Sequence, residues 1–444
     1  SPFLTQQREF WHRFYQDLTD CGPKCGPLVH PEGIDLAIFW DPEVTRERPD
    51  LLNMTDDQLR ELTSAHKSFV SHIQTRNYSL PYKKGTRGIV TTAGGSYLRN
   101  ALVSIRMLRR TGSKLPVEIF LKDKSEFDDD LCGHIMPKLN AKCLLLTDIF
   151  GADQGSIENY QLKIMAILFS SFEEVLMLDS DCFPVYDPNV LFDKPPFTGT
   201  GLVLWPDFWY PSESPLFFQI AGIPPPALTD RPSTEAGEIL YSKRLHEASI
   251  LLAAYYNYYG PGFYYPLQSQ GAPGEGDKET FLWSAIALGK PMSSVDHKVF
   301  ALGYKSKAGE WRGSAMAQFD PAEDLDASKM PGYHRSFVSN ITDFRTNITR
   351  AYPRAFFMHV NFPKIDPQTV FFENSWTTVY DSDLKQRRIW HHDKESALAF
   401  FGFDVEHELW REVRDMVCEY KNTFSGEVCM RAKNYLNTVF NTEV

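Results

Sequence analysis

Residues 175–181 read Val175-Leu176-Met177-Leu178-Asp179-Ser180-Asp181, a short apolar run that stops at two carboxylates one residue apart. An unbroken apolar run of this length suits a strand buried on both faces of a mostly parallel sheet, which makes the chain an α/β protein. Open α/β sheets bind ligands beyond the carboxyl ends of such strands, so Asp179 and Asp181 are expected at a ligand edge. Residues two apart on extended chain point the same way, and the two carboxylates are placed to share one divalent cation. Cys182-Phe183-Pro184-Val185 then returns apolar side chains to the interior.

Upstream of this strand, Gly88-Ile89-Val90-Thr91-Thr92 reads as a strand and Ala93-Gly94-Gly95 as a turn. Tyr97 to Arg110 reads as a helix with Leu98, Ala101, Leu102, Ile105 and Leu108 on one face, and Val117-Glu118-Ile119-Phe120-Leu121 as a second strand. Strand, glycine turn, helix and strand make a βαβ unit of the kind that builds nucleotide-binding sheets. Gly94 and Gly95 let backbone approach a ligand closely. Neither a Gly-x-Gly-x-x-Gly fingerprint nor a Walker lysine is present. A further helix, Tyr160 to Ser170, turns Leu162, Met165, Ala166 and Phe169 inward and carries Lys163 near its start.

With 444 residues and 43% hydrophobic content the chain can bury a large core. Its net charge of −11 argues against nucleic-acid partners and against electrostatic attachment to an anionic membrane. No stretch approaches the roughly 18–20 apolar residues of a membrane span, and Ser1-Pro2-Phe3-Leu4 does not open a signal peptide. Asn53, Asn77, Asn340 and Asn347 head Asn-x-Ser/Thr sequons. Among seven cysteines, Cys132/Cys143 and Cys418/Cys429 are spaced for short disulfide loops, Cys21/Cys25 for a tighter pair, and Cys182 is left over. Sequons and cysteines together fit a secretory lumen.

Three zones are expected: residues 1–84, an irregular and helical extension wrapped on a core; 85–370, the α/β domain; and 371–444, a mainly helical appendage containing Trp376, Trp390, Trp410 and Val413. The first zone carries helical patterns at Phe10, Phe14 and Leu18 and at Leu59, Leu62 and His66, with no visible chemistry. In the last zone Lys385, Arg387 and Arg388 read as a solvated face.

Beyond Asp181 the chain is dense in aromatics, and aromatic faces with polar tips suit sugar binding. Trp205 and Trp209 flank Asp207, which is able to accept hydrogen bonds from hydroxyls, and the three are expected in a sugar-binding groove with Glu235. In Phe357-Met358-His359-Val360-Asn361-Phe362-Pro363-Lys364 an apolar strand delivers one His and, five residues later, one Lys. The pair resembles the His and Lys near the end of retaining transferases of the glycogenin type, which implies His359 as a third metal ligand and Lys364 as a diphosphate contact. Asp277 and Glu279, just before the helical run Phe281 to Leu288, read either as helix N-terminal acids or as catalytic carboxylates near the acceptor hydroxyl.

The runs Thr92-Ala93-Gly94-Gly95-Ser96-Tyr97, Leu108-Arg109-Arg110-Thr111-Gly112-Ser113, Tyr160-Gln161-Leu162-Lys163, Leu178-Asp179-Ser180-Asp181 and Gly276-Asp277-Lys278-Glu279-Thr280-Phe281 occur in this order. Together they resemble the fungal Golgi α-mannosyltransferases that add α-1,2 or α-1,3 mannose branches to mannan and N-glycan outer chains. The resemblance implies a Rossmann-like GT-A glycosyltransferase fold, GDP-mannose as donor, Mn²⁺ (or Mg²⁺) as cofactor, retention of the α configuration and a mannose-containing glycan as acceptor. It further implies a Golgi-lumen enzyme of type II topology, held by an anchor upstream of Ser1, with the sequons glycosylated. Thr92, Ala93, Gly94, Lys163, Ser180 and Lys364 are then expected around the donor. One departure is Thr234-Glu235-Ala236-Gly237-Glu238, where the family resemblance leads one to expect Glu-Ser-Gly-Gln; a carboxylate at Glu238 replaces an amide. A glycoside hydrolase, or a carbohydrate-binding protein without catalysis, would use similar carboxylates and aromatics without needing a metal.

Overall fold

The computed structural model describes residues 1–31, 36–151, 157–306, 308–336, 338–344, 347–361, 364–373, 379–381, 383–390 and 393–441. Its centre is a seven-stranded sheet. The first βαβ unit forms as the pattern predicts: β1 (Lys83–Thr92), the helix Tyr97–Arg110 and β2 (Val117–Leu121), followed by β3 (Ala141–Leu145) and β4 (Phe172–Leu178). β1 pairs in parallel with β2 and with β4, and β2 with β3. The apolar stretch Val175–Leu178 is fully buried, as a strand covered on both faces must be.

β5 (Cys182–Pro184) leaves this sheet, whereas β6 (Leu202–Pro206), β7 (Thr234–Ser242) and β8 (Ser293–Ser294) extend it to the order β3-β2-β1-β4-β7-β6-β8. β7 runs antiparallel to both β4 and β6. The chain winds outward from β1 through β2 and β3 and then restarts at β4 on β1's other side, so a crevice opens at the carboxyl ends of β1 and β4. Asp179 and Asp181 follow the second of these ends.

A smaller antiparallel sheet covers the site from below. It contains β9 (Phe300–Lys305), β10 (Trp311–Phe319) and, after the hairpin β11 (Ser339–Asp343) and β12 (Ile348–Tyr352), β13 (Ala355–His359), in the order β5-β13-β10-β9. The apolar run Ala355–Met358 is buried, and its pairing with β5 sets His359 opposite Cys182, one residue past Asp181.

The terminal segments pack directly on this framework. The helices Pro2–Asp20 and Asp56–Thr75 bury Phe10, Trp11, Phe14 and Phe69 against Phe169 and Tyr255. At the other end, Val405–Glu419 and Gly426–Phe440 bury Trp410, Val413 and Tyr435 in the core shared with the first βαβ helix. Trp376 lies outside the described residues. Arg387 and Arg388 correct the expectation of a solvated face: the Arg387 guanidinium stacks 3.3 Å from the Tyr304 ring and Arg388 is ion-paired with Asp404. Lys385 does face solvent.

Cys132–Cys143 and Cys418–Cys429 form disulfides, and Cys182 is free and buried. The expected Cys21/Cys25 pair is absent. Cys21 is drawn inward instead, 3.4 Å from both Ser68 Oγ and His72 Nδ1, because the first helix seats it in the core. Asn53, Asn77, Asn340 and Asn347 are exposed. No helix among the described residues is long and apolar enough to cross a membrane.

Candidate active site

The turn after β4 is fixed through its backbone. Asp179 N donates to Gly237 O at 2.8 Å, Ser104 Oγ to Ser180 O at 2.7 Å, and Val360 N to Asp181 O at 2.9 Å. These bonds leave both carboxylates free to converge. Asp181 is buried, Asp179 is partly open, and His359 Nε2 stands 3.3 Å from Asp181 Oδ1 and 4.0 Å from Asp179 Oδ2. One ligand atom from each of the three residues lies within 4.8 Å of the others.

His359 Nδ1 is 2.9 Å from Glu235 Oε1. A carboxylate behind a histidine fixes the ring and its tautomer, so that Nδ1–H donates to Glu235 and Nε2 is aimed at the two aspartates. Burial opposes charge on the imidazole, but Glu235 and Asp181 outweigh it and hold its pKa well above the ordinary value. Asp181, which burial alone would raise, is pulled below the usual carboxylate range by His359 and Lys364. Protons and ammonium groups thus balance a concentrated negative charge. Two hard carboxylate oxygens and one imidazole form a donor set suited to a divalent cation, and the imidazole favours Mn²⁺ over Mg²⁺.

Gly237 makes this approach feasible. A β-carbon there would overlap His359 Nδ1 and lie 2.6 Å from His359 Cε1 and 2.8 Å from Glu235 Oε1. Because both neighbours sit on strands, neither has room to yield. Gly237→Ala is therefore expected to weaken Mn²⁺ binding by roughly 10–100-fold, the range found when a ligand's orienting partner is disturbed. Calorimetric Mn²⁺ titration checks this, and an unchanged affinity would remove His359 from the metal's shell.

Glu238, where an amide was expected, lies behind Glu235 and is fully buried, with Cys182 Sγ 3.3 Å from its Oε2. Burial, reinforced by the Glu235 charge, pushes its pKa well up, and it pairs with Glu235 as a neutral acid. A protonated carboxyl still offers a donor, one O–H where an amide has two N–H. Glu238 is thus packed behind Glu235 and does not line the cavity beside the aspartates.

A cavity of ≈ 540 Å³ opens beside the aspartates, lined by Thr92, Ala93, Gly94, Ser180 and Lys364 among the expected donor residues. Lys364 Nζ is ion-paired with Asp181 and lies 5.5 Å from the Tyr97 ring centroid. Lys163 does not line the cavity. It is buried, donates to Ala236 O at 2.6 Å, and bridges Asp179 (2.9 Å) and Asp277 (3.4 Å). Burial pushes the Asp277 carboxyl up to about 6, with Asp179 adding to the rise and Lys163 opposing it.

Three expectations change here. Glu279 accepts from Thr234 N (2.7 Å), Thr234 Oγ1 (3.2 Å) and Arg231 (3.1 Å), so both oxygens are engaged in anchoring the start of β7 and neither meets an acceptor. Trp205 is 1% exposed, donates through Nε1 to Phe319 O and packs edge-on against Phe357; as part of an all-buried strand it belongs to the core. Glu235 is turned toward His359 and away from a sugar groove. Asp207 and Trp209 remain near the surface, Asp207 paired with Lys278 at 3.1 Å. Glu126 and Asn159 also line the cavity, and nothing local in the sequence distinguishes them from ordinary loop residues; Tyr160, which heads one of the runs quoted above, lines it as well.

The family model for Mannosyl_trans3, described as a mannosyltransferase family, matches residues 86–230 and 227–320. The chain is 33% identical over 423 residues to the α-1,2-mannosyltransferase MNN21 of Candida albicans, covering 83% of this chain and 63% of that protein. It is also 33% identical over 441 residues to the α-1,2-mannosyltransferase MNN2 of Saccharomyces cerevisiae, covering 85% of this chain and 72% of that protein. The chain thus spans a little under two thirds of the length of the first of these relatives and somewhat more of the second. Among solved structures, the galactosyltransferase LgtC with donor and acceptor sugar analogues is similar at 16% identity, with a TM-score of 0.31 over 47% of this chain and 73% of LgtC. GlyE of Streptococcus pneumoniae is similar at 16% identity, with a TM-score of 0.32 over 47% of this chain and 45% of GlyE. With the family model matching across residues 86–320 and the two fungal relatives matching over 83–85% of its length, the chain belongs to the Mannosyl_trans3 family of mannosyltransferases.

Proposed function

We propose that this protein is a retaining, metal-dependent α-mannosyltransferase that moves mannose from GDP-mannose to a mannoside acceptor, forming an α-1,2 linkage. The observation that carries the proposal is the convergence of Asp179, Asp181 and His359 at the mouth of the cavity lined by Thr92–Gly94 and Lys364. The α-1,2 linkage is carried over from the α-1,2-mannosyltransferases MNN21 and MNN2. Their activity, together with the free sequons and the disulfides, supports work in the Golgi lumen on glycan or mannan acceptors.

Asp179, Asp181 and His359 would hold Mn²⁺, which when bound supplies Lewis-acid neutralisation of the charge that grows on the departing diphosphate. Lys364, a partly exposed ammonium seated on Asp181, would contact the diphosphate and share that charge. Glu235 keeps the imidazole oriented. Lys163 holds Asp179 and Asp277 in place from behind. In a retaining transfer the departing phosphate oxygen accepts the acceptor's hydroxyl proton on the same face of the sugar, so no separate strong base is demanded of Asp277.

Glu126 supports guanine as the base. The aspartates and Lys364 are assigned to the diphosphate, and Glu126 lines the same cavity with its carboxylate over Gly94 and Lys122 N donating to Oε2 at 2.7 Å. A carboxylate repels phosphate but accepts well from adjacent N–H groups, and guanine presents two on one edge while uracil presents one. Hydrogen bonds to a charged group contribute about 1.5–3 kcal/mol, so Glu126→Gln is expected to cut the preference for GDP over UDP by roughly 10- to 100-fold. Competition binding of the two nucleotides checks it, and an unchanged ratio would assign base recognition elsewhere.

The activity itself is tested by incubating the protein with GDP-mannose, Mn²⁺ and an α-mannobioside and reading the product by NMR. The expected product carries one new α-1,2 mannose and is not formed in EDTA. Cleavage of the mannobioside in the presence of EDTA would instead make the carboxylates hydrolytic.

A further inference from the structure

We infer that Phe39 and Trp209 form an acceptor platform, a two-ring wall on which a mannose unit of the acceptor stacks; the inference rests on the mannosyltransferase reading above and adds to it where the acceptor lies. Phe39 comes from the N-terminal extension, which carries no other candidate for chemistry. Trp40 N donates to Phe208 O at 2.8 Å and Tyr210 N to Ile38 O at 3.0 Å, so that Phe39 is bridged directly to Trp209. Alternation along this short extended segment sends Trp40 inward, where it is 5% exposed and its Nε1 donates to Leu228 O at 2.8 Å. Phe39 is sent outward, 67% exposed, with its ring stacked 4.8 Å from Trp209 and Phe208 edge-on behind both.

The segment is held in place. Tyr210 Oη donates to Asp41 O and Val44 O at 2.7 and 2.8 Å, and Arg48 is ion-paired at 2.6 Å with the buried Glu213. A single exposed aromatic needs no explanation, but a clamped pair with its outer face open is a preorganised apolar surface. Sugars bind such surfaces through their C–H faces, and Asp207, held by Phe208 N at 2.7 Å and Lys278 at 3.1 Å, fixes the segment that carries Trp209.

The sheet order supplies the position. The donor cavity lies at the ends of β1 and β4, Asp179 and Asp181 follow β4 and meet His359 from β13, whose ring is held by Glu235 of β7, and residues 207–209 follow β6 on the far side of β7. Asp207 N donates to Ser233 O and Ser233 N to Trp209 O at 2.7 and 2.8 Å. Ser233 is two residues, roughly 7 Å of extended chain, from Glu235, which touches His359. Donor cavity, metal ligands and aromatic pair therefore follow one another along one edge of the sheet, and none of residues 207–209 lines the donor cavity. An acceptor approaching the cluster from the side opposite the donor passes over Phe39 and Trp209.

The test is calorimetric binding of methyl α-mannoside and of a linear α-mannotetraoside to the Mn²⁺- and GDP-loaded protein. The wild type is expected to bind the tetraoside more tightly than the monosaccharide. Phe39→Ala and Trp209→Ala are expected to remove roughly three- to tenfold of that gain, the worth of one aromatic contact, and Phe39→Trp to restore it. Phe300→Ala, which removes an exposed aromatic from β9 in the smaller sheet, serves as the control and should keep the gain. A gain retained in Phe39→Ala would overturn the platform while leaving the mannosyltransferase reading intact. Absence of any mannoside binding to the GDP-loaded wild type would overturn that reading, and the platform with it.

Discussion

Asp181→Asn is expected to lower mannose transfer by on the order of 10³-fold, the rate equivalent of about 4 kcal/mol of lost charge stabilisation, while the protein remains folded. The carboxylate is buried against His359 and Lys364, and the substitution removes its charge with little change of shape. The turn itself survives, because Val360 N bonds to the backbone oxygen of residue 181 and Ser104 to that of Ser180. Lys364 is more than a third exposed and turns to water without leaving a buried charge. Asp179→Asn should show a loss of the same kind. Rates measured against Mn²⁺ concentration, with circular dichroism as the check on folding, decide the matter. Full activity in both variants would mean that the two aspartates hold no metal.

The second large effect is on stability. Lys163→Met is expected to destabilise the fold by ~3–5 kcal/mol, the cost of removing one partner from a buried ion-pair group. Lys163 is 7% exposed and its ammonium serves Asp179, Asp277 and the Ala236 carbonyl together. Asp179 is partly open and finds water, so the penalty falls mainly on Asp277. The Asp277 pKa already stands at about 6, because of its burial. Without Lys163 it rises further. A carboxyl raised in the folded state adds stability at low pH and loses it as the pH climbs through the folded value. The part of the variant's deficit due to Asp277 therefore grows as the pH rises from about 6 through the variant's own higher value, and has gone by pH 6 and below. Urea midpoints at two pH values measure this. An unchanged midpoint with a raised donor KM would instead make Lys163 a donor contact, as the family resemblance implies.

What was legible in the sequence shares one property, which is that it is local. The apolar run ending at Asp179 and the strand, turn and helix from Gly88 to Arg110 are decided by contiguous residues, and both formed as expected. His359 ends an apolar strand as short and as legible as the first, with Lys364 five residues beyond it. The misassigned residues depend on which distant segments meet. Glu235 finds His359 across 124 residues, through β7, β4 and β13, and no local pattern announces that meeting. Glu279 reads as a catalytic carboxylate until Arg231 and Thr234 are folded onto it. Trp205 and Trp209 look alike in sequence, yet one ends a buried strand and the other follows it into the open. Phe39 gained its neighbour only because an irregular segment crosses residues 208–210.

The central claim is that Asp179, Asp181 and His359 bind a nucleoside diphosphate through a divalent cation. The most direct measurement is calorimetric binding of GDP with Mn²⁺ present, repeated in EDTA and with UDP in its place. Tight binding of GDP that disappears in EDTA and is weak for UDP is the predicted result. Binding of GDP that persists unchanged in EDTA, or no nucleotide binding under any of these conditions, would contradict it.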